Sequence, residues 1–520
     1  MVLIMNALRF LLLLTALPTF LLAENWPQAA GPNANWEVAG VKDPVTQWSV
    51  VRGENVLWKT TLPEGGQSAV TVWGDKAFVT THRPVEEGDS LLEPNIVGYC
   101  LDANTGEILW QVDVPGTDPV QMSGIFSDST VFAPIADGER VWFFNRSGAI
   151  GCYDMDGKEV WLRKYTPRPR HTTRQCEPVL IGEIILTVEV KDKKLGQLLQ
   201  RHKPVPEDVD PKDVWCYLHG IDKNTGEVKW VGEAGTAVGN TPTVKQLGDG
   251  TWAVAHGRGG GHGPLEKPYG PSLTSFEDGK EIWTVDLGSA DAVMNMQWNE
   301  DELYWFQKQE QLVFSTETGE LLRRFDVSAS VDYCRYDSQT DAWKQESGAS
   351  VNKGKKIPHT NQTNMVVGDW HYFLGHDALV VGRSNVKTGA TEYLQVPAQL
   401  VASAEGKDKM IWEKKDAIPN DVKNSRGLEI APDKRSRGTG FGHVSAASPT
   451  LVNQYLFFPI MNGTVYVIDT SAEKLNRDAL VAINDLGPAG ETWTLASFSY
   501  SGGRLYMHTM KEVICLGEVE

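Results

Sequence analysis

The residues best able to do chemistry sit in a few short stretches. His256 to Pro264 reads HGRGGGHGP. Successive glycine amides can form a concave nest for an anion, and Arg258 adds a fixed positive charge. His256 and His262 have the ring nitrogens to coordinate a metal or exchange protons. The same glycines equally suit a structural loop packed closely on its neighbours. Two more basic clusters are RPRHTTR, with His171 and Arg174, and RSRGTGFGH, with Arg437 and His443. The stretch PHTNQTN adds His359 and Asn361. In a chain of net charge −18 these clusters suit a carboxylated or sulfated ligand, or are solvated loops. There is no Ser elbow, HExxH, Walker loop or EF-hand pattern. The identity of any bound metal stays open at this level.

Such residues need a scaffold, and the scaffold announces itself as a repeat. Asp102 to Trp110 reads DANTGEILW, and Asp222 to Trp230 reads DKNTGEVKW. Looser copies are DMDGKEVW, ending at Trp161, and EDGKEIW, ending at Trp283. In each the Trp falls four residues after a Gly: Gly106 and Trp110, Gly157 and Trp161, Gly226 and Trp230, Gly279 and Trp283. ETGELLR and KTGATEY keep the turn and lose the Trp. The Asp carboxylate can accept from amides two residues on, and the Gly supplies the positive φ of a tight hairpin. The Trp then buries a large apolar surface on the following strand. A hairpin returning at this interval is an internal repeat, which decides the fold.

The 520 residues include 50 Gly, 27 Pro and 18 Trp, a balance that suits many short strands joined by turns. The acidic charge argues against a nucleic-acid partner. Residues 1–23 place Arg9 before an apolar run and end at Ala23, which reads as a cleavable secretory signal peptide. No later stretch approaches a membrane span. The expected location is therefore periplasmic or secreted. Cys100 and Cys152 both lie two residues before a turn Asp, and Cys515 sits in a similar strand. Equivalent repeat positions point alike, so these three are expected as buried, unbridged thiols. Asn145, Asn361 and Asn462 lie in N-x-S/T sequons.

Residues 24–54, with Trp26, Trp36 and Trp48, read as an irregular strap pinned to the main body. Residues 55–62 (NVLWKTTL) match the last strand of a repeat without its predecessors. The C-terminus, SYSGGRLYMHTMKEVICLGE, gives three strands without a fourth. Seven internal units plus this composite predict an all-β, eight-bladed β-propeller of four-stranded antiparallel blades over residues 55–518, with seven blades as the alternative. Radial closure through the two termini removes the exposed edges. Segments before each blade's innermost strand then open on one face. That would gather His171, Arg174, His359, Asn361, Arg437 and His443 there, with Arg258 and His262 following a second strand to the same side.

These residues resemble the pyrroloquinoline-quinone (PQQ)-like repeat family, whose pattern Asp-Ala-x-Thr-Gly-x-x-x-Trp is matched by Asp102 to Trp110. The family includes dehydrogenases that bind PQQ and calcium at the propeller axis, and non-enzymatic scaffolds of outer-membrane protein assembly. Adjacent cysteines, common in the dehydrogenases, are absent from this sequence. The resemblance therefore implies the fold and leaves function to the site. The expectation is a non-catalytic binding or scaffold propeller without a cofactor, recognising a protein, a peptide or an anionic polysaccharide at one face. The alternative is a PQQ- and calcium-dependent oxidoreductase of alcohols or sugars.

Overall fold

The computed structural model describes residues 25–88, 94–117, 129–167, 177–190, 207–236, 241–259, 266–288, 295–351, 359–375, 379–427, 429 and 447–519. They form eight four-stranded antiparallel blades arranged as a ring. Blade one comprises Thr71–Trp73, Lys76–His82, Ile96–Asp102 and Ile108–Val114, in that spatial order from the axis outward. Blade two spans 135–164, blade three 179–235, blade four 243–284 and blade five 297–326. Blade six spans 359–395 and blade seven 450–485. The eighth is the composite: Ser499–Ser501, Arg504–His508 and Glu512–Leu516 are completed by Val56–Thr61, with Trp58 opposite Cys515.

The repeat motif explains how neighbours lock. Asp102 Oδ1 accepts from the Asn104 and Thr105 amides at 2.8 and 2.9 Å, and Asp222 Oδ1 does the same for Asn224 and Thr225. The turn glycine is then pressed against the Trp of the preceding blade. A Cβ on Gly106 would meet Trp58 at 2.5 Å, and one on Gly226 would meet Trp161 at 2.9 Å. The indole of Trp58 donates to Ala103 O, that of Trp110 to Met155 O, that of Trp161 to Lys223 O and that of Trp283 to Thr316 O. Where the Trp is lost, Phe325 takes its place against Gly389. Between blades six and seven the buried Arg383 donates to Ala472 O and Glu473 O instead.

Nearer the axis a second latch recurs. Thr71, Thr243, Thr450 and Ser499 on inner strands donate their hydroxyls to Pro134 O, Met296 O, Phe498 O and Val70 O of the next blade. Cys100 and Cys152 are cross-strand partners of Trp110 and Trp161, as Cys515 is of Trp58. All three thiols are buried and free, and burial pushes each up to about 12.

The strap does more than lie on the body. Trp26 pairs with Val72 of blade one, Pro27 O accepts from Ala136 N of blade two, and Gln28 Oε1 accepts from Leu180 N of blade three. Glu37–Val38 runs parallel to Leu451–Val452 of blade seven. Blades three and seven face each other across a ring of eight, so this segment crosses the axis. Trp26 and Trp36 are buried within it. These contacts lie on inner strands near their first turns, so the strap spans the ring at that end. Trp48 then anchors the exit, its indole donating to Asp485 O at 2.9 Å.

Two insertions escape the repeat. A hairpin, Val331–Asp337 and Ala342–Ala349, extends blade six to six strands. A second hairpin, Gln399–Val401 with Lys409–Ile411, lies between blades six and seven in sequence.

Candidate functional site

In an up-and-down blade, the lead-in to the first strand and the connection after the second return to one face. The described strap residues lie at the opposite end, that of the first turns. Arg258 ends the second strand of blade four, Trp252–Arg258, on this open side. The residue is 3% exposed. Nη1 donates to Lys267 O at 3.3 Å, while Nε and Nη2 have no hydrogen-bond partner among the described residues. Burial draws its pKa down, partly offset by Glu281, Glu266 and Asp286. A buried cation with unused donors is a costly arrangement that an anion relieves.

His256, two residues earlier, is wholly enclosed, with Nε2 2.8 Å from Thr274 Oγ1. Desolvation, then the nearby Arg258 charge, lower its pKa to about 3, so it is a neutral packing group. Gly259 follows Arg258 with φ +100°, and beyond it His262 lies outside the described residues, as do His171, Arg174, Arg437 and His443. His359 and Asn361 lie on the inner strand His359–Val367 of blade six, and their side chains are outside the description.

Around the same face the structure gathers polar side chains that no motif or spacing singles out. Glu64 precedes blade one; its Oε1 accepts from Gly65 N and its Oε2 from Ser425 N, both at 3.0 Å. Gln67 N donates to Thr130 Oγ1 at 3.0 Å. His82, ending the second strand of blade one, lies with Nδ1 3.3 Å from Ser129 Oγ. Glu177, before blade three, accepts from Ala133 N at 3.0 Å. His508, ending the second strand of blade eight, holds Nδ1 2.9 Å from Ser68 O, and burial lowers its pKa to about 4. Their shared signal is positional: each flanks a strand end on the lead-in side. Reading it requires the blade limits first.

Asn145 and Asn462 cannot serve as glycosylation acceptors in this fold. Both are buried, and each side-chain amide already donates to backbone carbonyls, Asn145 to Pro94 and Val114, Asn462 to Ala398.

PQQ with calcium needs several oxygen ligands around one cation. Among the described residues no three of His, Cys, Asp and Glu come together as a metal set. The buried carboxylates on this side, Glu64, Glu177 and Glu266, each accept from a backbone amide. The described residues alone therefore do not make that site.

Residues 24–197 match the family described as outer membrane protein assembly factor BamB. No curated protein matches the chain. Among solved structures, BamB from Moraxella catarrhalis is similar at 12% identity and a TM-score of 0.44, covering 88% of this chain and 98% of its own. The quinohemoprotein alcohol dehydrogenase ADHIIG from Pseudomonas putida HK5 is similar at 12% identity and 0.49, covering 96% and 81%. The computationally designed Ika8 protein is similar at 11% identity and 0.46, covering 89% and 99%. The recurring Asp-turn-Gly-Trp hairpin, the eight closed blades and the family match make this chain a β-propeller of PQQ-like repeats.

Proposed function

We propose that the chain is a binding propeller outside the cytoplasm that takes an anionic ligand, a protein segment or an acidic glycan, at the open mouth of its axis. The observation carrying this reading is the buried Arg258 at the lead-in end of blade four, the end of the ring opposite the strap. Arg258 is a desolvated cation on that side with donors to spare. The sequence adds His171, Arg174, Arg437 and His443, outside the described residues, as basic groups in an otherwise acidic chain. Fixed positive charge recessed in a low-dielectric cleft focuses the field on an incoming anion.

The test is binding of heparin and of polyglutamate to wild type and to an Arg174→Ala/Arg258→Ala/Arg437→Ala variant. Wild type should bind more weakly as salt rises, and the variant should lose at least tenfold in affinity while retaining its melting temperature within a few degrees. Equal binding by both proteins defeats the reading. The oxidoreductase alternative is checked in parallel by adding PQQ and calcium and following dye-linked oxidation of alcohols and sugars. Turnover there would replace the binding role with catalysis.

A further inference from the structure

Four strands per blade suffice to close the ring, so the two additional strands of blade six serve something else. The strand Val331–Asp337 joins the fourth strand of blade six in parallel, Asp332–Cys334 against Glu392–Leu394. The strand Ala342–Ala349 is outermost, and no described strand pairs with its outer edge. Residues 344–348 on it are exposed.

The hairpin has two unlike faces. On one, Arg335 pairs with Glu346 at 3.0 Å, Lys344 pairs with Asp337 at 2.5 Å, and the Arg335 guanidinium lies 3.9 Å from the Tyr333 ring centre. On the other, Tyr336 and Trp343 are cross-strand partners. Trp412, from just after the second hairpin, stacks on Tyr336 at 4.0 Å and meets Trp343 edge-on at 5.9 Å. All three rings are only half-buried, and Met410 nearby in sequence is 44% exposed. Clustered half-exposed aromatic rings are what protein contact surfaces concentrate.

We propose that the outer edge of Ala342–Ala349 is a docking edge for an uncharged, extended segment of a partner polypeptide, added as a further strand with an apolar side chain against Trp343 and Trp412. An open edge offers unpaired backbone amides and carbonyls, which only another backbone matches in series. Proteins guard such edges with free charges, proline or brevity. This one has eight residues and no proline. Its two charged side chains, Lys344 and Glu346, are drawn back onto their own hairpin. The four charges of that face cancel, so nothing selects a charged partner. Blade six already shows the mode, since the hairpin is itself a strand addition to its fourth strand.

The experiment uses the full chain with fluorescent peptides of alternating valine and threonine, plain and N-methylated at alternate residues. The plain peptide should bind, and N-methylation should weaken it at least tenfold by removing the amides a strand addition needs. Trp343→Ala/Trp412→Ala should weaken binding at least tenfold, while Trp343→Phe keeps most of it. Affinity should change little across a tenfold range of salt, unlike binding at the basic mouth. No binding of the plain peptide, equal binding of the N-methylated one, or displacement by a cello-oligosaccharide would each overturn the proposal. The N-methyl comparison uses wild-type protein, so it stands even if a variant fails to fold.

Discussion

At the residue scale the informative unit is the pair formed by a turn glycine and the Trp of the blade before it. Gly226 holds φ +74°, where a side chain is strained, and its missing Cβ is the space that Trp161 fills. Gly226→Ala should therefore destabilise by about 1–3 kcal/mol from backbone strain, with the clash against Trp161 in addition. In a Trp161→Ala background the clash disappears and only the strain remains. A double-mutant cycle read by urea unfolding should show coupling on the order of 1 kcal/mol. Strict additivity would mean that the indole does not rest on the glycine. The glycine and the Trp were both legible in the sequence by their spacing. Their partnership was not, because the spacing within one hairpin says nothing about which Trp, its own or its neighbour's, the glycine touches. The Cys positions were legible for the same reason as the Trp: a repeat fixes the side to which each residue points.

At the element scale the blades were readable and the additions were not. Each blade limit follows from recurring turn chemistry, so even units without the Trp were placed. The hairpin 331–349 recurs nowhere else, and a single strand pair carries no period against which to recognise it. The rim residues Glu64, His82, Glu177 and His508 were missed because polar side chains at strand ends gain significance only when the ring brings those ends together. The composite blade is the element on which closure depends. Removing residues 24–62 would expose the edge of Glu512–Leu516 and strip the indole of Trp58 from Ala103 O. The truncated chain should aggregate on refolding and elute in the void volume in size-exclusion chromatography. A monodisperse, cooperatively melting product would show that the ring holds without this strand.

At the scale of the whole molecule, buried histidines make stability depend on acidity. His256 and His508 sit at about 3 and about 4 because burial disfavours their cations. A folded pKa below the unfolded one means that the stabilisation is present above about pH 6.5 and is lost as pH falls through the folded values. The unfolded chain then binds more protons than the native one, and His219, also lowered by burial, adds in the same direction. Asp485 acts in the opposite sense: burial raises its carboxyl, so its contribution is fully present below its unfolded pKa and lost as pH rises through the folded one. These histidines should dominate between about pH 6.5 and 4.5, and the melting temperature should fall across that interval. His508→Gln should flatten the fall by about one proton's worth. An unchanged slope would place the acid sensitivity elsewhere.

The strap that spans the ring at the turn end also bears on where the chain can be tied down. Asn25 accepts from Gly74 N at the first turn of blade one, and Gly517 N donates to Asn55 O where the last strand ends. Both described chain ends therefore emerge on the side of the turns, away from the lead-ins. A tether, tag or fused domain attached at either end leaves the mouth pointing outward, whereas an insertion meant to block it has to enter through a lead-in. Surface coupling through either terminus should thus present the same face to solution, and a binding assay built on either should report the same affinity.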